Sequence, residues 1–215
     1  MLPKIGEKLS LSDKAYKVIK EAILNNDLKP REILSEEALA TKLGISRTPL
    51  RTALKRLEFE KLVNVNSTKN TIVADINMKD IQDAFAVRKI LEPAAAAMAC
   101  VLMKEEDFNT LREMIQQQET IVSSKELVKF MACDREFHLF IARCTDNGVM
   151  CEMIERLGTY NQRFCASLRH LDEFVPLAAK EHIEIYKVLQ TKNVELVKSK
   201  MIHHIEQVEY RFFNY

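Results

Sequence analysis

The segment from Leu34 to Val63, LSEEALATKLGISRTPLRTALKRLEFEKLV, constrains this chain more than any other. It reads as two short helices joined by a tight turn. Ser35 stands where a helix N-cap belongs, and Glu36 and Glu37 follow it at the helix's positive end. Gly44 comes just after Leu43, where the first helix must stop and a residue without Cβ is favoured. Ser46 then caps a second helix, with Pro49 in its first turn, where a missing N–H costs little. Leu50, Ala53, Leu54 and Leu57 recur at helical spacing and form a buried stripe. Arg47, Arg51 and Lys55, each four residues apart, make a separate cationic row. A basic row alone is usually a solvated helix face. A short basic helix presented by a preceding helix suits the major groove of DNA.

The flanking segments extend this into a domain. From Leu62 the pattern becomes LVNVNSTKNTIVADI. Val63 and Val65 alternate with Asn64 and Asn66, Ser67 to Asn70 read as a turn, and Thr71 to Ala74 return to β-branched character. That is a hairpin signal. A helix-turn-helix followed at once by a hairpin is a winged helix, and Lys69 at the wing tip is suited to a phosphate contact. Upstream, Ala15, Val18, Ile19, Ala22 and Ile23 predict a first helix over about Ser12 to Asn25. The expected domain spans residues 1–75, with a short polar linker at 76–79 and a new helix starting at Asp80.

Residues 80–215 carry no strand signal. Their apolar pattern is helical, with breaks expected near Pro93, Ser123-Ser124, Asp146 to Gly148, Asp172 to Pro176, and Thr191 to Asn193. This predicts an all-α bundle of about six or seven helices. The fold class is therefore mainly α: a winged helix-turn-helix, then a helical bundle.

Composition narrows the function. No apolar run approaches the roughly 20 residues of a membrane span, and the start, MLPKIGEKLSLSDK, has no signal-like core. A cytoplasmic protein with no membrane partner is expected. Its five cysteines, an odd number without a C-x-x-C pair, suit a reducing compartment. The net charge of +1 hides an asymmetry: residues 1–75 carry 14 Lys+Arg against 10 Asp+Glu, and residues 76–215 carry 18 against 21. The basic half coincides with the helix-turn-helix, as DNA binding requires.

Four of the five histidines have informative settings. Asp134 and His138 lie four apart in MACDREFHLFIARC, so both project from one helix face. His182 follows Glu181 on the next-to-last helix. His203 and His204 are about 100° apart on the last helix, so only one can face a given interior point. A carboxylate with imidazoles from three helices suits a divalent transition metal. A lone histidine on an apolar face is more often a core residue, and spacing by itself leaves both readings open.

Two sets of residues carry a family resemblance. LSEEALATKLGISRTPLRTALKRLE resembles the DNA-binding motif of GntR-type transcriptional regulators, most strongly over Gly44 to Leu57. The resemblance implies DNA contacts at Arg47, Thr48 and Arg51; Ser46 and Lys55 on the same helix and Lys69 at the wing tip are further candidates by position and residue type. Many relatives have arginine in place of Glu37, and glycine in place of Arg31, Lys61 and Asn70. Further on, AFAVRKILEPAAAAMA, DREFHLFIARCTDN, EHIEIYKVLQTKN and SKMIHHIEQ resemble the ordered blocks of the FCD ligand domain of FadR-type GntR regulators. The resemblance implies a metal held by Asp134, His138, His182 and His204. His204 is chosen over His203 by the M-x-x-H-I pattern from Met201 to Ile205. It implies zinc first, with nickel or manganese as alternatives. His170 matches nothing. Gly148 replaces the proline of the family's Asn-Pro at Asn147.

Arg88, in the R-x-x-L-E block ending at Glu92, has two readings: a clamp for an anionic effector, or an ion pair within the bundle. The family's organic-acid effectors suit the first. The expected protein is a homodimeric, non-enzymatic DNA-binding regulator. A small carboxylate metabolite at a metal-containing pocket would control its affinity for double-stranded operator DNA. The alternative is a small all-α metal-dependent hydrolase with Glu136 or Glu181 as general base.

Overall fold

The computed structural model describes residues 9–67, 70–165 and 170–214. The chain divides between Ile76 and Asn77 into two compact units. The division falls within the polar stretch expected as a linker.

The first unit contains α1 (Leu11–Leu24), α2 (Glu36–Leu43), α3 (Arg47–Phe59), β1 (Val63–Val65) and β2 (Thr71–Val73). A capping box starts α1. The Asp13 N–H donates to the Ser10 hydroxyl at 3.1 Å, and the Ser10 N–H donates to the Asp13 carboxylate at 3.2 Å. Val18 is 55% exposed, so it does not belong to the buried stripe. Ile19, Ile23 and Leu24 instead meet Leu50, Leu54 and Leu57 of α3, and Leu62, Val63 and Val73 close the core. Gly44 ends α2 at φ +64°, the left-handed cap that its lack of Cβ permits.

The strands pair antiparallel with Val63 opposite Val73. The Asn66 N–H donates to the Asn70 carbonyl and the Asn70 N–H to Asn66 Oδ1, both at 2.9 Å. Arg31 and Lys61 are left-handed, at φ 67° and 58°. Each carries a strain of about 1–2 kcal/mol that glycine would avoid. The sequence reading missed one pairing: Ile33 bridges Ile72, and the Leu34 N–H donates to the Thr71 carbonyl at 2.8 Å. A pairing this short leaves no alternation to read. Lys69 lies outside the described residues.

The second unit contains α4 (Met78–Leu102), α5 (Glu105–Ser124), α6 (Leu127–Arg143), α7 (Gly148–Cys165), α8 (Leu171–Gln190) and α9 (Val194–Asn214). Its described residues form six helices and no strand. The Asn77 side chain caps α4 by accepting from the Lys79 N–H at 2.9 Å, so α4 starts before Asp80. Pro93 does not break it. Pro93 is buried in the middle of a 25-residue helix that packs on α6, α7, α8 and α9. That packing outweighs the lost backbone bond. Pro176 likewise lies inside α8, in its second turn, where it forgoes a bond to the Asp172 carbonyl and the buried face of α8 offsets the loss. The other expected breaks coincide with left-handed residues at helix ends: Lys125, Asp146 and Lys192. Cys100 and Cys165 are buried, and the other three cysteines are half-buried; all five are free thiols. No described helix is long and apolar enough to cross a membrane.

Candidate functional site

The candidate recognition surface follows from the packing of α3. With Leu50, Ala53, Leu54 and Leu57 buried, Arg47, Thr48, Arg51 and Lys55 are all exposed, as is Ser46 at the N-cap. The Ser46 backbone has cap geometry, but its hydroxyl makes no capping bond. Two of the arginines are already engaged. Arg47 Nη2 donates to Glu37 Oε2 at 3.1 Å, and Arg51 Nε donates to Glu36 Oε2 at 2.8 Å.

The second unit brings Asp134, His138, His182 and His204 together at its centre. All four are buried, and one donor atom from each lies within 4.8 Å of the others. The helical register accounts for this. Asp134 and His138 share one face of α6, His182 comes from α8, and His204 points inward from α9 while His203 is exposed. His138 Nε2 and His204 Nε2 are 3.3 Å apart. His182 Nε2 lies 3.5 Å from Asp134 Oδ1 and has no hydrogen-bond partner.

The Nδ1 atoms face outward to oxygen acceptors. His182 Nδ1 is 2.8 Å from Gln118 Oε1, and His204 Nδ1 is 2.7 Å from Glu181 Oε2. His138 Nδ1 is 2.9 Å from Glu92 Oε2, though off the line of a well-directed hydrogen bond. An oxygen at Nδ1 keeps the proton there and leaves the Nε2 lone pair facing the centre. Three inward lone pairs beside a carboxylate repel one another unless a cation lies between them. An orphaned buried nitrogen and a packed pair of Nε2 atoms therefore fit a divalent transition metal.

Electrostatics support neutral imidazoles at His182 and His204. Burial, reinforced by the neighbouring imidazoles, pushes His182 well below its ordinary value. Burial lowers His204 too, against the opposing pull of Glu181. Burial alone would raise Glu92, but Arg88 and His138 outweigh it and hold the carboxyl well below the usual range. The Phe137 ring stacks on His182 with centroids 4.0 Å apart, fixing the imidazole plane.

Two residues of the site were missed in the sequence: Gln118, which faces His182, and Arg211. The two terminal nitrogens of Arg211 hold Glu181 at 2.7 and 2.8 Å, and Glu181 in turn meets His204. On the opposite side Arg88 Nε holds Glu92 at 2.6 Å, and Glu92 meets His138. Two arginine–glutamate pairs thus back two of the three imidazoles. Arg211 stands seven residues after His204, on the same face of α9, and that spacing was the available signal. Arg88 is 2% exposed and ion-paired, yet its Nη1 is buried without a partner. Both readings of Arg88 thus have an observation behind them.

A void of about 30 Å³ adjoins Asp134, Asn161 and Arg211, with an apolar wall that includes Phe174 and Phe212. It is of the size that holds a water molecule, far smaller than an organic acid. Between α8 and α9 a surface groove of about 410 Å³ reaches the outer side of Glu181 and His204. Neither candidate base of the hydrolase reading is free. Glu181 is tied to Arg211 and His204, and Glu136 pairs with Arg143 on the outer face of α6. His170 is exposed beside Glu173. Asn147 Oδ1 accepts from the Met150 N–H at 3.1 Å and so holds the start of α7.

Comparison with known proteins follows the same division. Residues 11–73 match the family described as bacterial regulatory proteins, gntR family, and residues 83–207 match the FCD domain. The HTH-type transcriptional repressor RspR of Escherichia coli (strain K12) is 23% identical over 199 residues, covering 92% of this chain and 87% of its own. The Uxu operon regulator of Haemophilus influenzae is 27% identical over 195 residues, covering 83% of this chain and 73% of its own. The solved structure of E. coli McbR/YncC superposes with a TM-score of 0.85 at 22% identity, covering 96% of this chain and 98% of that one. That likeness is one of fold.

Proposed function

Because this chain belongs to the GntR family of transcriptional regulators and carries an FCD domain, we propose that it is a metal-dependent sensor of a small organic acid, acting on DNA as a homodimer in the cytoplasm. The buried Asp134–His138–His182–His204 cluster carries this reading. Those four residues would hold a divalent transition metal, zinc before nickel or manganese. Such an ion supplies a Lewis-acidic position for a carboxylate oxygen.

The chain's own residues would do the rest. Gln118, Glu92 and Glu181 keep the imidazoles in the binding tautomer. Arg88 Nη1 lacks a partner and is available to an anionic ligand group, while its other nitrogens keep Glu92 in place. The void beside Asp134 must widen to admit a metabolite, so binding selects an arrangement in which the Phe174–Phe212 wall has moved. Shifting that equilibrium is how a ligand would alter DNA affinity.

The DNA-facing residues would be Ser46, Arg47, Thr48, Arg51 and Lys55, together with Lys69. One helix-turn-helix reads few bases, so two-fold pairing on a palindromic site is expected. The outer faces of α4 and α7 suit that pairing. Ile90 is 70% exposed, Val101 66% and Val149 68%, with Val87, Met98 and Met153 continuing the apolar stripe.

Elemental analysis of purified variants tests the metal centre. His204→Ala should lose bound metal, and His203→Ala should keep it. Equal loss from both, or loss only from His203→Ala, would overturn the assignment. Thermal shifts of the metal-loaded protein with organic and sugar acids would then identify the effector class.

A further inference from the structure

The two arginines central to DNA recognition are held by acids of the chain itself. Arg47 Nη2 lies 3.1 Å from Glu37 and Arg51 Nε 2.8 Å from Glu36. Both acids sit in the first turn of α2, and both arginines on the exposed face of α3. Glu37 is the more open, with its side chain 79% exposed and that of Arg47 56% exposed. Exposed ion pairs of this kind add little to stability. Their consequence is for what the arginines can reach, since the same N–H donors meet phosphate oxygens or the O6 and N7 of guanine.

We propose that Glu37, with Glu36 beside it, is a built-in anionic competitor that lowers this protein's affinity for DNA. The proposal rests on reading α3 as the recognition helix. A phosphate must displace a carboxylate already in place before it can engage Arg47. The acids also bring negative charge to the surface that approaches the duplex. Both effects reduce the counterion-release term that dominates binding to bulk DNA. Residues 1–75 have a net charge of only +4, so two acids at the contact face remove a large share of their attraction. Bulk chromosomal DNA then sequesters less of the protein.

Fluorescence anisotropy of the full-length protein on a random-sequence duplex, over a salt series, tests this. Glu37→Gln should bind about two- to fivefold more tightly at low salt, the range an exposed ion pair allows. Its log–log salt slope should steepen by up to about 0.9, one phosphate contact. In an Arg47→Ala background the same change should give a clearly smaller gain, the part owed to the acid's charge alone. If Glu37→Gln matches the parent in affinity and slope while Arg51→Ala weakens binding, the recognition helix stands and the competitor is wrong. A gain undiminished by the loss of Arg47 also overturns it, because the ion pair would then play no part. If neither Arg47→Ala nor Arg51→Ala alters binding, the recognition-helix reading fails and takes the proposal with it.

Discussion

Gln118 illustrates how one neutral residue can set the chemistry of a charged cluster. It is fully buried in α5, its Oε1 faces His182 Nδ1 at 2.8 Å, and its Nε2 donates to the Cys133 carbonyl at 3.3 Å. Replacing it with leucine removes the acceptor that fixes the His182 tautomer, without leaving a charge unpaired. Gln118→Leu should weaken metal affinity roughly 10–100-fold, as loss of such supporting contacts does elsewhere. Titration against a chelating indicator measures it. Unchanged affinity would mean that Phe137 stacking alone orients the imidazole. The metal-free variant should also be less stable by about 1–3 kcal/mol, because a buried N–H loses its partner.

At the scale of elements, α4 organises the second unit. Its alanine run, Ala94 to Ala97, with Ala99 beyond it, is what allows close approach by its neighbours. Ala95, Ala96 and Ala99 are essentially inaccessible, and Ala95 packs with Ala142 of α6 and Ile154 of α7. Small side chains bring the helices near enough for Arg88 and Glu92 to reach the cluster. Ala96→Leu should therefore destabilise the protein by about 1–3 kcal/mol through overpacking. Chemical denaturation reads this directly. A neutral result would mean that the helices have slack at this level.

For the whole molecule, the reading to test is assembly. Two charges on the outer stripe, Ile90→Glu with Val101→Glu, should shift the protein toward monomer in sedimentation equilibrium. Both residues are exposed on α4, so metal content and secondary structure should persist. DNA affinity should fall together with the dimer, since each monomer reads half a site. A double variant that remained dimeric would move the interface away from α4 and α7.

Local signals made the first unit legible. Ser35, Gly44, Ser46 and the Leu50–Leu57 stripe are caps and periodicity, and they act within one or two helical turns. The same physics misled at Pro93 and Pro176, where packing outweighs a local break. It also misled at Val18, whose helical spacing placed it on a core face that it does not reach. Spacing brought Asp134 and His138 to one face and required a choice between His203 and His204. It could not bring α6, α8 and α9 to one point. It also could not show that Gln118, Glu92 and Glu181 stand behind the imidazoles. Those partners are separated by tens of residues, and their meeting depends on helix packing. The sequence alone determined the elements and the donor types. Only the tertiary structure decided which nitrogens face inward, because burial and the outer hydrogen bonds set each imidazole's orientation.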